Sequence, residues 1–176
     1  MESLLLFALI LMIICSLVAI HEVGHYLAGL TAGIPASDMR IILLAFPQHV
    51  VLRDGTEWVS PIRDIVRYVE VSRRYFATRW AAFRYVAGGI AVETVFTVAV
   101  CLIAIQVGWQ AIAFWVASMS LGMYLVNLLL LDLPWAVVHR RSVGDTSGLW
   151  EIAPLPAVIL TVIALAIRVV LIVSTA

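Results

Sequence analysis

Long apolar segments dominate the chain, and four of them are long enough to cross a lipid bilayer. A transmembrane helix needs roughly 20 mostly apolar residues, and these segments cover about residues 3–31, 85–107, 111–131 and 154–174. Gly33 and Pro35 follow the first segment and are expected to end its helix. The pattern predicts an all-α integral membrane protein with four spans, in which Arg168 near the end of the last one reaches the interface.

The stretch between the first two spans has a different pattern. Residues 39–44 and 49–53 form two short β-like runs separated at Pro47, and Asp54 and Gly55 form a turn signal. We therefore predict a β-hairpin beside the membrane. It is either an ordinary connection or an edge on which an extended peptide could add as a further strand, and the pattern favours neither.

An amphipathic helix is predicted after the hairpin. Ser60 and Pro61 provide a cap and a first-turn proline. Apolar side chains then recur near the helical period, and charged side chains occupy the opposite face (Ile62, Ile65, Val66, Val69 and Phe76; Arg63, Arg67, Glu70 and Arg74). We interpret this helix as lying on the membrane surface with its arginines toward lipid phosphates.

Composition and charge indicate the class of protein and its orientation in the membrane. Hydrophobic residues make up 64% of the sequence and charged residues 12%, compared with about half and about a quarter in soluble domains. Eight arginines lie between residues 40 and 84. Arg140 and Arg141 lie between the third and fourth spans, and the turn between spans two and three has none. The positive-inside rule then predicts a multi-pass protein of the cell membrane with both basic loops cytoplasmic and both termini outside.

The size and the ends of the chain add three expectations. With 176 residues, we expect one membrane-embedded domain over residues 1–176. Because the start lacks a basic region, we expect the first span to be retained rather than cleaved. Basic and acidic residues balance at 11 each, and no nucleic-acid motif is present, so we expect no nucleic-acid partner.

The sequence HEVGH at residues 21–25 carries the candidate chemistry. His21 and His25 are spaced i and i+4 on one helix face, where two imidazoles can bind one zinc ion. Glu22 is placed to accept a proton from water activated by that ion. The preceding run, 4–20, is roughly 26 Å of helix, which places the motif inside the bilayer toward the cytoplasmic face. Ionisable residues at such a depth are functional by default.

Catalytic zinc usually has three protein ligands, so a third must come from elsewhere. His49, in the hairpin, and His139, beside two arginines, are poor candidates and are interpreted as interfacial. Asp132 at the end of the third span and Asp145 in a polar loop before the fourth are better candidates.

Three segments resemble the site-2-protease-like intramembrane zinc metallopeptidases: HEVGHYLAGLTAGI from residue 21, AGGIAVE at 87–93 and VNLL at 126–129. The resemblance implies that His21 and His25 bind Zn²⁺ and that Glu22 is the general base. It also implies that Asn127 contacts the substrate backbone or orients the third ligand, and that an aspartate after Asn127 completes the metal site.

The chain departs from that family pattern at Glu93 and after Asn127. Leu130 replaces a usual proline, Glu93 replaces a small amide or neutral residue, and no Asp-Gly follows. Asp132 is preceded by leucine, as in one version of the motif, whereas Asp145 resembles a second version with a longer insertion. We expect Asp145 to be the ligand, with Asp132 as the alternative.

These features favour an intramembrane zinc metalloendopeptidase that hydrolyses peptide bonds of membrane-anchored proteins or peptides by zinc-activated water. The irregular last motif and Glu93 leave a catalytically inactive membrane scaffold or chaperone as the alternative. A metal-handling protein is a third possibility, but it gives Glu22 no role. The expected partners are the bilayer, a membrane protein or peptide substrate and a regulatory membrane protein.

Overall fold

The computed structural model describes residues 2–45, 47–139 and 144–176 and is mainly helical. Four helical segments in these ranges are long and apolar enough to cross a membrane: Ser3–Ala32, Arg79–Gln106, Gln110–Val138 and Pro154–Thr175. The predicted all-α membrane fold with four spans is therefore confirmed. Arg140 and Arg141 of the second predicted basic loop lie outside the described residues.

The order of elements alternates long helices with shorter connecting structure. The helices are α1 (Glu2–Ala32), α2 (Ile65–Tyr75), α3 (Arg79–Gln106), α4 (Gln110–Leu125), α5 (Leu133–His139), α6 (Asp145–Ile152) and α7 (Pro154–Thr175). The strands are β1 (Met39–Ile42), β2 (His49–Asp54) and β3 (Glu57–Val59). A π-helical segment, Val126–Asp132, joins α4 to α5 and makes the third span continuous.

Small residues bring α1 and α3 into close contact. A Cβ atom on Gly24 would lie 2.3 Å from the Gly88 carbonyl oxygen, and one on Gly88 would lie 2.4 Å from the Ala28 Cβ. Backbones can approach this closely only where side chains are small, which is a common packing mode between membrane helices. The crossing places the histidines of α1 directly against α3.

The C-terminus of α1 is closed by a Schellman motif. Gly33 has φ of 106°, and the Ile34 N–H donates to the Gly29 carbonyl at 3.0 Å. Glycine adopts this left-handed conformation without steric cost. The chain turns sharply there and returns toward the middle of α1 as a sheet.

The predicted hairpin is present and carries a third strand. β1 pairs antiparallel with β2 from Met39–Leu52 to Ile42–His49, and β3 pairs with β2 from Leu52–Val59 to Asp54–Glu57. The turn at Gly55, with φ of 64°, joins β2 to β3. β2 is therefore the central strand, but its first residues extend beyond the end of β3.

Helix α2 covers the sheet, and two expectations about it were wrong. The helix starts at Ile65 rather than after Ser60, because the Asp64 side chain accepts from the Arg67 N–H and caps it. Its arginines do not all face lipid: Arg67 and Arg74 form ion pairs with Asp54 at 2.9 and 2.7 Å. Val71 and Tyr68 are buried in a cluster with Leu52 of β2. The sheet and α2 thus form one packed unit above α1 and α3.

Candidate metal centre

The HEVGH segment lies on α1, and its two imidazoles converge. The Nε2 atoms of His21 and His25 are 3.1 Å apart. Ligand atoms of these residues and of Glu22 all lie within 4.8 Å of one another. His25 is buried and the other two are partly buried, so the cluster is screened from bulk water.

Asp145, the first residue of α6, meets the same two nitrogens. Its Oδ2 atom lies 2.7 Å from His21 Nε2 and 3.2 Å from His25 Nε2. Burial acts to raise the pKa of this carboxyl, but His25 and His21 outweigh it and lower the pKa below its usual range. The carboxylate form is the one that binds a metal ion.

The convergence of two imidazole nitrogens and one carboxylate oxygen fits a zinc ion. Tetrahedral zinc with bonds of about 2.0–2.1 Å separates its ligand atoms by roughly 3.3 Å, close to the distances of 2.7–3.2 Å here. A Cβ atom on Gly89 of α3 would lie 2.5 Å from both Nε2 atoms. The glycine keeps α3 from filling the space in front of the three ligand atoms.

Each imidazole is also held from behind. His25 Nδ1 lies 3.0 Å from the Tyr85 carbonyl oxygen and donates to it, and His21 Nδ1 faces the Glu93 carboxylate at 3.5 Å. Acceptors at both Nδ1 atoms favour the tautomer in which Nε2 carries the free lone pair. Both lone pairs are then directed at the point shared with Asp145.

Glu93 belongs to a buried ionic cluster, and this corrects the expectation for Arg168. The guanidinium of Arg168 is fully buried, and its Nη2 donates to Glu93 Oε1 at 3.0 Å. It does not extend to the interface, because its N–H groups are all directed inward, toward Ser120, Thr94 and the Ala164 carbonyl as well.

Glu22 is held by the sheet. Its Oε2 accepts from the Val50 N–H of β2 at 2.9 Å. Val50 lies in the part of β2 that β3 does not cover, since the β2–β3 pairing stops at Leu52. A backbone N–H of the sheet is therefore hydrogen-bonded directly to the candidate general base.

A cavity of about 220 Å³ opens beside Glu22, His25 and Asp145 and extends between α2 and α3. Apolar and aromatic side chains such as Tyr68, Phe76, Tyr85 and Val86 line it. The Tyr68 and Tyr85 hydroxyls are hydrogen-bonded to each other. Burial, together with Tyr85, holds the pKa of Tyr68 well above its usual range, so its phenol stays neutral.

The remaining predicted site residues lie in different surroundings. Asp132 is buried, and its Oδ2 accepts from the Ser147 N–H at 2.9 Å, so it caps the first turn of α6. Asn127 is exposed on the π-helical segment, and the described cavity lining does not include it. His49 lines the cavity, with Nε2 3.0 Å from Ser60 Oγ, and its place at the membrane interface stays a prediction. The side chain of His139 lies outside the described part of the chain.

The sequence pattern did not predict the groups that contact the Nδ1 atoms of the two candidate ligand histidines. Glu93 stood out only as a departure from a motif, and its contact with His21 joins positions 72 residues apart (93 minus 21). The Tyr85 carbonyl is a backbone group and leaves no mark in the residue pattern. An ionisable residue in each of two apolar spans was the one available signal, since buried charges in membranes are usually paired.

Comparison with known families agrees with this geometry. The profile of peptidase family M50, the site-2 protease family, matches residues 7–108, more than half of the chain. The match includes the HEVGH segment and Glu93, whereas Asn127, Asp132 and Asp145 lie beyond it. No curated protein and no solved structure gives a significant match.

Proposed function

Since the chain belongs to peptidase family M50, we propose that this multi-pass membrane protein is an intramembrane zinc endopeptidase. Members of the family are generally zinc metallopeptidases. The observation that supports the proposal most strongly is the meeting of His21 Nε2, His25 Nε2 and Asp145 Oδ2 within 3.2 Å, beside the carboxylate of Glu22.

The proposed ligands are His21, His25 and Asp145. Two neutral imidazoles and one carboxylate form a common catalytic zinc set, which leaves a further position for water or substrate. Zinc, when bound there, lowers the pKa of water to about 7 and polarises the scissile carbonyl. Gly89 leaves the space in front of the ligand atoms free of a side chain.

Glu22 is the proposed general base. Its carboxylate accepts the proton of the attacking water and then passes it to the leaving amine. Proton transfer by a positioned side chain typically accelerates a reaction by about 10²–10⁴-fold. The hydrogen bond from the Val50 N–H fixes Oε2. Oε1 has no such restraint among the contacts described, and we assign it the proton transfer.

The proposed substrate is a membrane-anchored protein or peptide in extended conformation. A peptide bond in a helix is shielded by its own hydrogen bonds, so the segment to be cut must unwind locally. Such a segment can lie along the edge of β2 that β3 leaves uncovered, next to Glu22, whose Oε2 already accepts from the Val50 N–H. The apolar cavity between α2 and α3 can take one of its side chains. Asn127 as a contact to the substrate backbone stays a prediction.

The position of the site in the cell is part of the same proposal. The charge pattern assigns the segment with β1, β2, β3 and α2 to the cytoplasmic side of a cell membrane. The centre then lies inside the bilayer near that side. We propose no nucleic-acid partner and retain a regulatory membrane partner as part of the proposal.

The test is a comparison of purified wild type with Glu22→Gln. Both proteins should hold about one zinc ion per chain, because Glu22 is not a ligand. Wild type should cleave a candidate transmembrane peptide, and Glu22→Gln should be slower by about 10²–10⁴-fold. Glu70→Gln, the same substitution at an exposed position of α2, is the matched control and should cleave like wild type.

Two results would contradict the proposal. Cleavage at the wild-type rate by Glu22→Gln would exclude its role as base. Zinc-loaded wild type that cleaves none of the peptides would instead favour the catalytically inactive scaffold or chaperone.

A further inference from the structure

Two charged side chains are buried among the membrane-spanning helices. Neither contacts the Nε2 atoms that are proposed to bind the metal. Glu93 of α3 is 4% exposed and Arg168 of α7 is 0% exposed. Charges at such depth are costly and are kept only where they are paired or functional. The pair therefore requires an explanation beyond packing, because apolar side chains of the same size stabilise a bundle as well or better.

The two oxygens of Glu93 have different partners. Oε1 accepts from Ser120 Oγ at 2.7 Å and from Arg168 Nη2 at 3.0 Å. Oε2 faces His21 Nδ1 at 3.5 Å. Because α4 and α7 hold one oxygen, the carboxylate cannot rotate, and the other oxygen is directed at the imidazole.

Arg168 is in turn fixed on every side. Its Nε donates to Ser120 Oγ at 2.8 Å, and its Nη1 donates to Thr94 Oγ1 and to the Ala164 carbonyl, both at 2.9 Å. The guanidinium also lies 4.9 Å from the centre of the Tyr124 ring. A rigid cation of this kind keeps Glu93 charged and in place within the apolar bundle.

We propose that Glu93, held by Arg168 and Ser120, is a positioning residue that fixes the orientation and the Nδ1–H tautomer of His21 and so strengthens metal binding. The inference rests on the proposed function, since it assigns His21 to the metal. Carboxylates behind ligating histidines typically raise metal affinity by about 10–100-fold. The effect acts through His21, so Glu93 itself touches neither the metal nor the substrate.

The test compares two double variants. They differ in whether the side chain at position 93 keeps an oxygen that can accept a hydrogen bond. Glu93→Leu/Arg168→Leu removes the acceptor and both charges together, which avoids leaving one buried charge unpaired. Glu93→Gln/Arg168→Leu keeps an acceptor oxygen but no charge. Leu171→Ala, one turn beyond Arg168 in an apolar cluster of α7, is the control for lost packing. Measurements are the zinc dissociation constant by chelator competition, the melting temperature and the visible spectrum of the cobalt-substituted protein.

If Glu93 positions His21, the variants should differ in zinc affinity in an order that their melting temperatures do not follow. The leucine variant should melt near the wild-type temperature and bind zinc about 10–100-fold more weakly, with altered cobalt bands. The glutamine variant should lie between it and wild type. Leu171→Ala should melt earlier and keep the wild-type zinc affinity and cobalt spectrum.

The outcomes separate this inference from the proposed function. Wild type that binds no zinc would overturn both. Wild type that binds zinc, with a leucine variant that binds it equally well, would overturn this inference alone. If the leucine variant does not fold, the glutamine variant decides, and zinc affinity equal to that of wild type would overturn the inference. Affinities that follow the melting temperatures in all variants would also reject it.

Discussion

At the scale of single residues, each proposed ligand is held by a contact that leaves its metal-binding atom in place. His25 donates from Nδ1 to the Tyr85 carbonyl, and His21 faces Glu93. Asp145 begins α6, whose first turn is fixed by Asp132 through the Ser147 N–H. Locking side chains in this way reduces the ordering that metal binding must otherwise impose.

The two candidate aspartates are predicted to respond differently to substitution. Asp145→Asn removes the anionic ligand and should weaken zinc binding by more than about 100-fold, beyond the range for residues behind the ligands. Asp132→Asn keeps an acceptor for the Ser147 N–H and should bind zinc nearly as wild type does. Asp132→Ala loses the cap and should lower stability by about 1 kcal/mol.

Zinc titration against a competing chelator, with thermal unfolding of each variant, measures both effects. The same asparagine substitution at both positions makes the comparison matched. Loss of zinc from Asp132→Asn together with normal binding by Asp145→Asn would assign the third ligand to Asp132 instead.

At the scale of elements, the attachment of α2 to the sheet depends on ion pairs between charged side chains. Asp54, at the end of β2, accepts hydrogen bonds from Arg67 and Arg74 of α2. The hydrogen bonds from Arg67, followed by those from Arg74, lower the pKa of Asp54 below its usual range. β2 also supplies the N–H that holds Glu22, so this attachment bears on the proposed base.

Asp54→Asn is predicted to loosen α2 from the sheet in a pH-dependent way. The folded-state pKa is depressed, so the stabilising contribution is present above the unfolded pKa of about 3.9. It is lost as the pH falls through the folded-state pKa. At pH 7 the variant should show faster hydrogen exchange than wild type in β2 and α2, and the difference should shrink below about pH 4.

Glu57→Gln is the control for this prediction. Glu57 pairs with Arg67 only in a largely exposed position, so its substitution should have a smaller effect on hydrogen exchange. A difference between wild type and Asp54→Asn that grows with falling pH would contradict the sign of the argument.

The elements also show what the sequence could predict. The four spans follow from long apolar runs, and the proximity of His21 and His25 follows from helical spacing alone. The strand Glu57–Val59 was missed because three residues are too few to show an alternating pattern. The start of α2 was misplaced because Ser60-Pro61 and Asp64 are both acceptable start signals, and packing on the sheet selects the second.

Contacts between distant segments could not be predicted from the pattern. His21 and Asp145 are 124 positions apart, and the Glu93–Arg168 pair joins α3 to α7. Interface snorkelling was the reasonable expectation for a single arginine near a helix end, but the carboxylate in another span changed the outcome. Such pairings depend on how the helices assemble.

At the scale of the whole molecule, the centre lies where α1, α3 and α6 meet, three elements that are far apart in the sequence. α1 provides two proposed ligands and the base, α3 provides the space at Gly89 and the support behind the histidines, and α6 provides Asp145. The sheet and α2 cover the same place, with a cavity and an edge of β2 that β3 does not cover. Under the proposed function, this assembly gives a chain of 176 residues a screened site for a water-dependent reaction among membrane helices.

The central claim is that this assembly hydrolyses peptide bonds with water activated at the His21–His25–Asp145 centre, and cleavage in water enriched in heavy oxygen tests it most directly. Wild type, reconstituted with zinc and a transmembrane peptide, should give products with one heavy oxygen atom in the new C-terminal carboxylate. Zinc-loaded Glu22→Gln should give almost none. Labelled products from Glu22→Gln at the wild-type rate, or cleavage by wild type without uptake of the label, would contradict the claim.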